Sequence, residues 1–411
     1  MENLNLIYKK PKGTLDYYGN DAIKLLKTKN IIEKVFQDNG GEFLETPVFE
    51  IRDIVMGKYG EEAEFKLVYN IQKPEISSEE SEQLVLRYDQ TLPFIRFVKE
   101  NGIKKMRRYS IGKVYRRDTP NQSLGRFREF YQCDFDILGE ENGSMTNEIQ
   151  IFSMITDILK ELNIANYKIL YNDTENLRTM LVEKLCIDET KFKNVCQTID
   201  KLDKYDFEDL VGEFRKKGLD NFQLTNLKRF LDDNYILNQN TQQKIDIITM
   251  ISKILGINNL EFSNKLARGL DYYNGIIFEV KIPDFPTVIA GGRYDNLIDN
   301  TLIGFSVGLT RLLSIINDDK KEPEWKETYT ITTIGNVSIE KKVEVIGFLK
   351  KLGKKAINYS LGKDKKLGKQ ITECLKNYDR FIVIIGEDEI KTNRFIIRDL
   401  MNNSQEITEL C

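Results

Sequence analysis

The chain has 411 residues, a formal charge of −3, 41% hydrophobic and 30% charged residues, and no histidine at all. Such a composition belongs to a folded protein of two or three domains, and its charge balance argues against indiscriminate nucleic-acid binding while leaving room for a local basic face. Without histidine there is no serine-hydrolase triad and no zinc site built on imidazole, so any chemistry must run on carboxylates, arginine, lysine, tyrosine or groups of the substrate.

The start, MENLNLIYKKPKG, has neither the apolar core of a secretion signal nor an Arg- and Ser-rich presequence. No later stretch approaches the ~20 apolar residues of a membrane span, so a cytoplasmic protein without membrane contact is expected. Residues 22–37 carry Ile23, Leu26, Ile31, Val35 and Phe36 at helical spacing, and Asn39-Gly40-Gly41 ends that helix. A short strand then runs into Thr46-Pro47-Val48-Phe49, whose proline places it at an edge or interface. Residues 74–83 read as an exposed acidic turn, and LVLRYDQTLPFIRFV as a strand entering a helix that Pro93 can begin.

Two β-rich stretches, 107–117 and 127–138, flank the polar loop Asp118 to Arg126 and form a long hairpin. Alternation sets Phe127, Glu129 and Tyr131 on one face and Arg128, Phe130 and Gln132 on the other. Residues 145–162 form an amphipathic helix, and 174–256 read as short helices joined by charged turns. Strand character returns at 261–282 and 287–309, and a helix from Leu309 to Asn317 follows. A polar linker, 317–326, precedes strands and helices in alternation, with Ser338 as a helix cap, which predicts a small α/β domain with a mostly parallel sheet. Within it, residues 341–376 hold eleven lysines against three acidic residues. The five cysteines are scattered, with no CxxC, and are expected to be free thiols.

Six segments carry a resemblance that spans almost the whole chain. VYRRDTPNQSLGRFREFYQCDFDILG (114–139) resembles the second signature motif of the histidyl-tRNA synthetases of eukaryotes and archaea. LARGLDYYNG (266–275) resembles the peptide that sets the histidine enzymes apart from other class II synthetases. AGGRYDNLI (290–298) and GFSVGLTRL (304–312) are similar to the segments that complete the active site, and PKGTLDYYG (11–19) with TPVFE (46–50) to the family's start and first motif. The resemblance implies an α+β fold: a class II antiparallel sheet core flanked by helices, with a helical insertion and a C-terminal α/β anticodon-binding domain. The expected parts are a core over 1–173, an insertion over 174–256, the rest of the core over 257–320, and the anticodon domain over 327–411.

The implied activity is ATP-dependent activation of histidine, then its transfer to tRNA(His), by a homodimer. The nucleophile is an ionised carboxylate, so no histidine base is needed, and arginines with fixed charge and forked donors suit the phosphates. By resemblance Arg116 binds the α-phosphate, Arg268 bridges substrate carboxylate and phosphate, and Arg311 lies over adenine near the γ-phosphate. Phe130 stacks on the other face of the base, and Asp118 also serves the nucleotide. Mg²⁺ comes in on the ATP phosphates, and no protein side chain is assigned to it. Asp136 and Tyr273 face the imidazole, Asp89, Thr91 and Gln132 hold the α-amino group, and Tyr272 and Tyr294 are walls. Gly291-Gly292 form a flat pocket floor. Two departures stand out: Thr310 occupies the place of the usual glutamate before Arg311, and Leu124 the place of a basic residue in the hairpin loop. The alternatives are a non-catalytic tRNA sensor or regulator, and a class II synthetase for another amino acid.

Overall fold

The computed structural model describes residues 8–59, 67–71, 83–139, 145–232, 237–270, 273–316, 325–358 and 366–410. It divides into two compact units, residues 1–316 and 317–411.

In chain order the first unit runs through α1 (Asn20–Asp38), β1 (Glu42–Phe43), β2 (Phe49–Ile51), α2 (Arg52–Tyr59), β3 (Leu84–Leu86), α3 (Thr91–Asn101), β4 (Met106–Tyr115), β5 (Glu129–Leu138), α4 (Thr146–Glu161) and β6 (Lys168–Asp173). A helical stretch follows: α5 (Thr174–Arg178), a π-helical turn (Thr179–Lys184), α6 (Glu189–Ile199), α7 (Phe207–Lys216), α8 (Asn221–Leu231) and α9 (Gln239–Leu255). Strands β7 (Leu260–Phe262), β8 (Ile276–Lys281), β9 (Ile289–Arg293) and β10 (Leu302–Val307) and the short helix α10 (Leu309–Leu312) complete it.

Eight strands form one sheet in the order β1-β4-β5-β10-β9-β8-β6-β7. All its pairings are antiparallel except β1 with β4 and β6 with β7 at the two ends. The two-residue alternation of strands gives this sheet two unlike faces. Cys133, Phe135 and Ile137 of β5, Ile303, Phe305 and Val307 of β10, and Ile276, Phe278 and Val280 of β8 point into one apolar core with α1 and α4. The intervening residues, Gln132, Asp134 and Asp136 of β5 among them, line the other face. The predicted hairpin alternation is therefore the division between packing and chemistry.

The α1 helix shows a local difference. Leu25, Thr28, Ile32, Val35 and Phe36 are buried, whereas Ile23 and Leu26, expected on the core face, are 45% and 58% exposed. Pro93 stands third in α3 rather than first, where its missing N–H is still one that a helix leaves unpaired. Residues 263–270 and 273–275, expected to continue a strand, are irregular between β7 and β8. Helix α10 ends at Leu312, and turns continue to Ile316. The acidic turn at 74–83 lies outside the described residues except for Gln83, as does the linker except for Trp325 and Lys326.

The helices of 174–232 share a core of their own, built on Leu177, Leu181, Val195, Phe214, Leu227 and Phe230. Helix α9 instead sends Ile248 into the core under the sheet. Asp188, Asp220 and Asn238 cap α6, α8 and α9 with their side chains, which explains why charged turns separate short helices here.

The second unit contains β11 (Lys326–Thr333), α11 (Ile339–Lys351), β12 (Ile357–Asn358), α12 (Leu367–Asn377), β13 (Asp379–Ile385), α13 (Glu387–Lys391), β14 (Arg394–Asp399) and β15 (Ser404–Glu409). Ser338 caps α11, accepting from the Lys341 N–H. The sheet order is β12-β11-β13-β14-β15. The first two pairings are parallel and the last two antiparallel, so the sheet is mixed rather than mostly parallel. Strand β15 went unpredicted because SQEITE is an exposed edge with a single apolar residue, and it offers no alternation to read.

Candidate active site

The site grows from the polar face of the large sheet. Asp136 of β5 lies opposite Arg108 of β4 and opposite Gly304 of β10. Arg108 and Asp136 are 1% and 3% exposed, and their charges meet with Nε 2.7 Å from Oδ2. The Tyr294 hydroxyl donates to the other oxygen, Oδ1. Burial, and then the Asp136 charge, raise the Tyr294 hydroxyl well above its ordinary pKa, so it stays a donor. Tyr294 was expected as a wall. It also orients the carboxylate, and its ring meets that of Tyr273 edge-on at 6.3 Å.

Gly304 is required by this arrangement. A Cβ there would lie 2.7 Å from Asp136 Cγ and 2.7 Å from the Phe135 carbonyl oxygen. The Gly291-Gly292 pair divides between the faces rather than forming one floor. A Cβ on Gly292 would meet the Tyr273 ring at 2.8 Å, whereas Gly291 faces Phe278 and Phe305 in the core.

The arginines come from three separate elements. Arg116 follows β4, its Nε donates to the Tyr88 carbonyl at 3.2 Å, and its guanidinium lies 4.3 Å from the Tyr88 ring centre and 5.3 Å from that of Phe130. Arg268 sits in the 263–275 connection and pairs with Glu279 of β8. That carboxylate also accepts from Thr287 Oγ1 at 2.7 Å and meets Lys281 Nζ at 2.8 Å. Although burial alone would raise it, Arg268 and Lys281 hold Glu279 below the usual carboxylate range. Arg311 of α10 donates to the Thr287 carbonyl at 2.5 Å and keeps its Nε buried with no partner among the described residues. Its pKa is lowered by burial and then by repulsion from Arg126, Arg268 and Arg116. Arg116 and Arg268 are therefore near enough to Arg311 to repel it, with Asp118 the opposing charge.

The remaining expected residues are less uniform. Gln132 donates through Nε2 to Ser306 at 2.9 Å, while its Oε1 is buried with no partner among the described residues. Asp89 uses Oδ1 to accept the Leu92 N–H at 3.0 Å, so part of its capacity fixes the start of α3. Thr91 is the first residue of that helix and is half-buried. Asp118 lies in the hairpin loop, 3.6 Å from Arg126. Tyr272 lies outside the described residues.

Thr310, the departure before Arg311, is 5% exposed and accepts the Tyr131 N–H at 2.9 Å. Strand β10 has already ended beside Cys133, so this hydroxyl supplies the acceptor that the ladder no longer offers. It serves the frame behind Phe130 rather than the polar face. Leu124 is 44% exposed on a short turn of the loop.

Sequence reasoning missed Arg108, Asp134, Ser306, Glu279 and Gly304. All lie on strands, and a readable signal existed for Asp134, which shares the alternation phase of Gln132 and Asp136 on β5.

Known proteins resemble the chain over most of its length. The family model described as "Histidyl-tRNA synthetase" matches residues 13–312. A curated relative from Dictyostelium discoideum, "Histidine--tRNA ligase, cytoplasmic", is 32% identical over 97% of this chain and 88% of its own length. One of the same name from Arabidopsis thaliana is 34% identical over 97% of this chain, which spans about half of that longer protein (47%). Among solved structures, the histidyl-tRNA synthetase from Nostoc sp. PCC 7120 superposes with a TM-score of 0.74 at 23% identity, covering 98% of this chain and 97% of that one, and so shares its fold. With most of the first unit inside the family model and near-complete alignment to a relative above 30% identity, the chain belongs to the histidyl-tRNA synthetase family.

Proposed function

We propose that the protein is a histidine–tRNA ligase, which activates L-histidine with ATP to histidyl-adenylate and transfers histidine to the 3′ end of tRNA(His). The observation that carries this reading is that Arg116 and Arg268 both act electrostatically on Arg311, in a unit whose sheet also carries the buried Asp136 carboxylate, because the first step must hold two anions and an imidazole together. In that step a histidine carboxylate oxygen bonds to the α-phosphorus while the bond from that phosphorus to the bridging oxygen breaks, and pyrophosphate leaves. No proton moves, which suits a chain with no histidine. Arg116 and Arg268 hold the α-phosphate and the attacking carboxylate, and Arg311 holds the nucleotide against Phe130. The resident pairing of Arg268 with Glu279 keeps that arginine aimed before substrate arrives. Asp136 accepts from the imidazole, with Tyr273 at the ring's other nitrogen. Such a site rejects a side chain that leaves the buried carboxylate unpaired.

Mg²⁺ would shield charge on the β- and γ-phosphates. The lining fits an anion: among the described residues no three acidic or cysteine side chains gather as metal ligands, and Thr310 offers a hydroxyl already in use. The ion would therefore be held chiefly by the nucleotide.

Exposed apolar side chains in the N-terminal region, Tyr18 (89%), Leu26 (58%), Phe43 (54%) and Phe49 (52%), support a twofold dimer formed through the first motif. The exposed lysines of the second unit, Lys350, Lys351, Lys355, Lys366, Lys369 and Lys376, support tRNA contact there. The names of the relatives support a cytoplasmic location.

ATP–pyrophosphate exchange with each of the twenty amino acids tests the reading. Exchange with histidine alone is the expected result. No exchange, with tRNA or histidine still bound, would make the protein a sensor or regulator instead.

A further inference from the structure

Glu279 meets three donors, and the way they divide its two oxygens decides how much of Arg268 is left for a substrate. Glu279 and Lys281 stand two residues apart on β8, so their side chains leave the same face. Lys281 Nζ lies 2.8 Å from Oε1. The other oxygen, Oε2, accepts from Thr287 Oγ1 at 2.7 Å and from Arg268 Nη1. Lys281 Nζ, which can only donate, also reaches Thr287 Oγ1 at 3.5 Å, so the single hydroxyl proton is left for Glu279. A buried carboxylate and an arginine with no other partners favour a two-point fork, which uses up one edge of the guanidinium. Arg96 and Glu50 form such a fork in this protein, Nε to Oε2 and Nη2 to Oε1, each at 2.8 Å. Arg268 does not: among the described residues it meets the buried Glu279 through Nη1 alone, and its own side chain is half-buried. Lys281 pairs as well with Asp203, from the turn that follows α6.

We propose that Lys281 and Thr287 are positioning residues that hold Glu279 to a one-point contact with Arg268, leaving the rest of the guanidinium to bridge the amino-acid carboxylate and the α-phosphate. The proposal rests on the histidine-activating reading above, and on the role of Arg268 in it, which it deepens. Neither residue touches substrate. Without Lys281, Oε1 is a buried anion that has lost its cation, and turning onto Arg268 is how it regains one. The fork then closes, and the arginine gives up an N–H that the reacting anions need.

The test is histidine-dependent ATP–pyrophosphate exchange, with a thermal melt of each protein. Lys281→Met should lower kcat about tenfold, the scale of one hydrogen bond to a charged group, while the KM for ATP changes less than twofold. Adding Glu279→Gln to Lys281→Met should raise kcat again, because an amide has one acceptor oxygen and can hold Arg268 at one point but cannot close the fork. Thr287→Val should lower kcat in the same way and Thr287→Ser restore it, a pair that carries the test if Lys281→Met fails to fold. Asp203→Asn leaves Lys281 on Glu279 and should keep kcat within twofold. If Lys281 only braced the strand, the double variant would be worse than either single one. That result would overturn the proposal, as would an unchanged kcat in Lys281→Met and Thr287→Val, or a tenfold loss in Asp203→Asn. If wild type shows no exchange with histidine, the parent reading falls and this one with it.

Discussion

Gly304→Ala is the substitution that asks most of the site. The new methyl would sit 2.7 Å from both Asp136 Cγ and the Phe135 carbonyl oxygen, well inside contact distance. The carboxylate has nowhere to retreat: Arg108 Nε grips Oδ2 at 2.7 Å and the Tyr294 hydroxyl grips Oδ1, in surroundings where Asp136 is 3% exposed. Two responses are open. Either β10 shifts, at the ~1–3 kcal/mol typical of overpacking, or the carboxylate rotates and gives up a hydrogen bond to a charged group, about 1.5–3 kcal/mol. If Asp136 reads the imidazole, the second response raises the KM for histidine by roughly 10- to 150-fold. The residues proposed to hold ATP, Arg116, Phe130 and Arg311, do not include Asp136, so the KM for ATP should change less than twofold. Exchange kinetics with either substrate varied, alongside a thermal melt, separate the cases. A folded Gly304→Ala protein with an unchanged KM for histidine would refute the placement of Asp136 in the histidine pocket.

Three further outcomes are expected. Thr310→Val leaves the half-buried Tyr131 N–H without its acceptor and should cost about 1 kcal/mol, a melting point lower by a few degrees, whereas Thr310→Ser should stay near wild type. Burial, opposed by Arg108 and reinforced by Asp136, pushes Asp134 up to about 7. The folded state thus binds a proton that the unfolded chain has released between pH ~4 and ~7, and wild type loses stability as pH rises through that window. The melting point of Asp134→Asn relative to wild type should therefore climb from pH 5 to pH 8, and a difference independent of pH would contradict the buried-carboxylate account. Finally, replacing Lys350, Lys351 and Lys355 with glutamine should raise the KM for tRNA and flatten its salt dependence, by up to about one unit of log–log slope for each phosphate no longer neutralised. An unaltered slope would remove that surface from tRNA binding.

Much of the fold was legible because the sheet alternates cleanly. FREFYQCDFDIL announces two faces, and the structure uses them as core and site. Helix α4 lies within one residue of its expected bounds because its apolar spacing is regular, and α11 starts directly after Ser338, its expected cap. What failed has local causes. Ile23 and Leu26 follow the helical period but are left outside by the single chain. The 263–275 connection looks like strand because apolar and aromatic residues flank Arg268, yet Gly269 takes a left-handed φ of 68° that breaks the extension. In the site, the arginines were legible as types. Their nearness was not, because Arg116 and Arg268 come near Arg311 only through the order of strands in the sheet. Arg108 and Ser306 were passed over because a lone polar residue in a strand gives no sign of which cross-strand neighbour it will meet.

The two-faced hairpin also sets what lengths the gene can tolerate. One residue inserted or deleted within Glu129–Leu138 would exchange Cys133, Phe135 and Ile137 with Gln132, Asp134 and Asp136, sending carboxylates into the core and phenyl rings into the site. Register in β10 is bound just as tightly, since Gly304 and Ser306 must meet Asp136 and Asp134. The loop of residues 118–126 is under no such restraint. Across descendants of this gene, indels should therefore accumulate in the loop and be absent from the ten residues that follow Arg128.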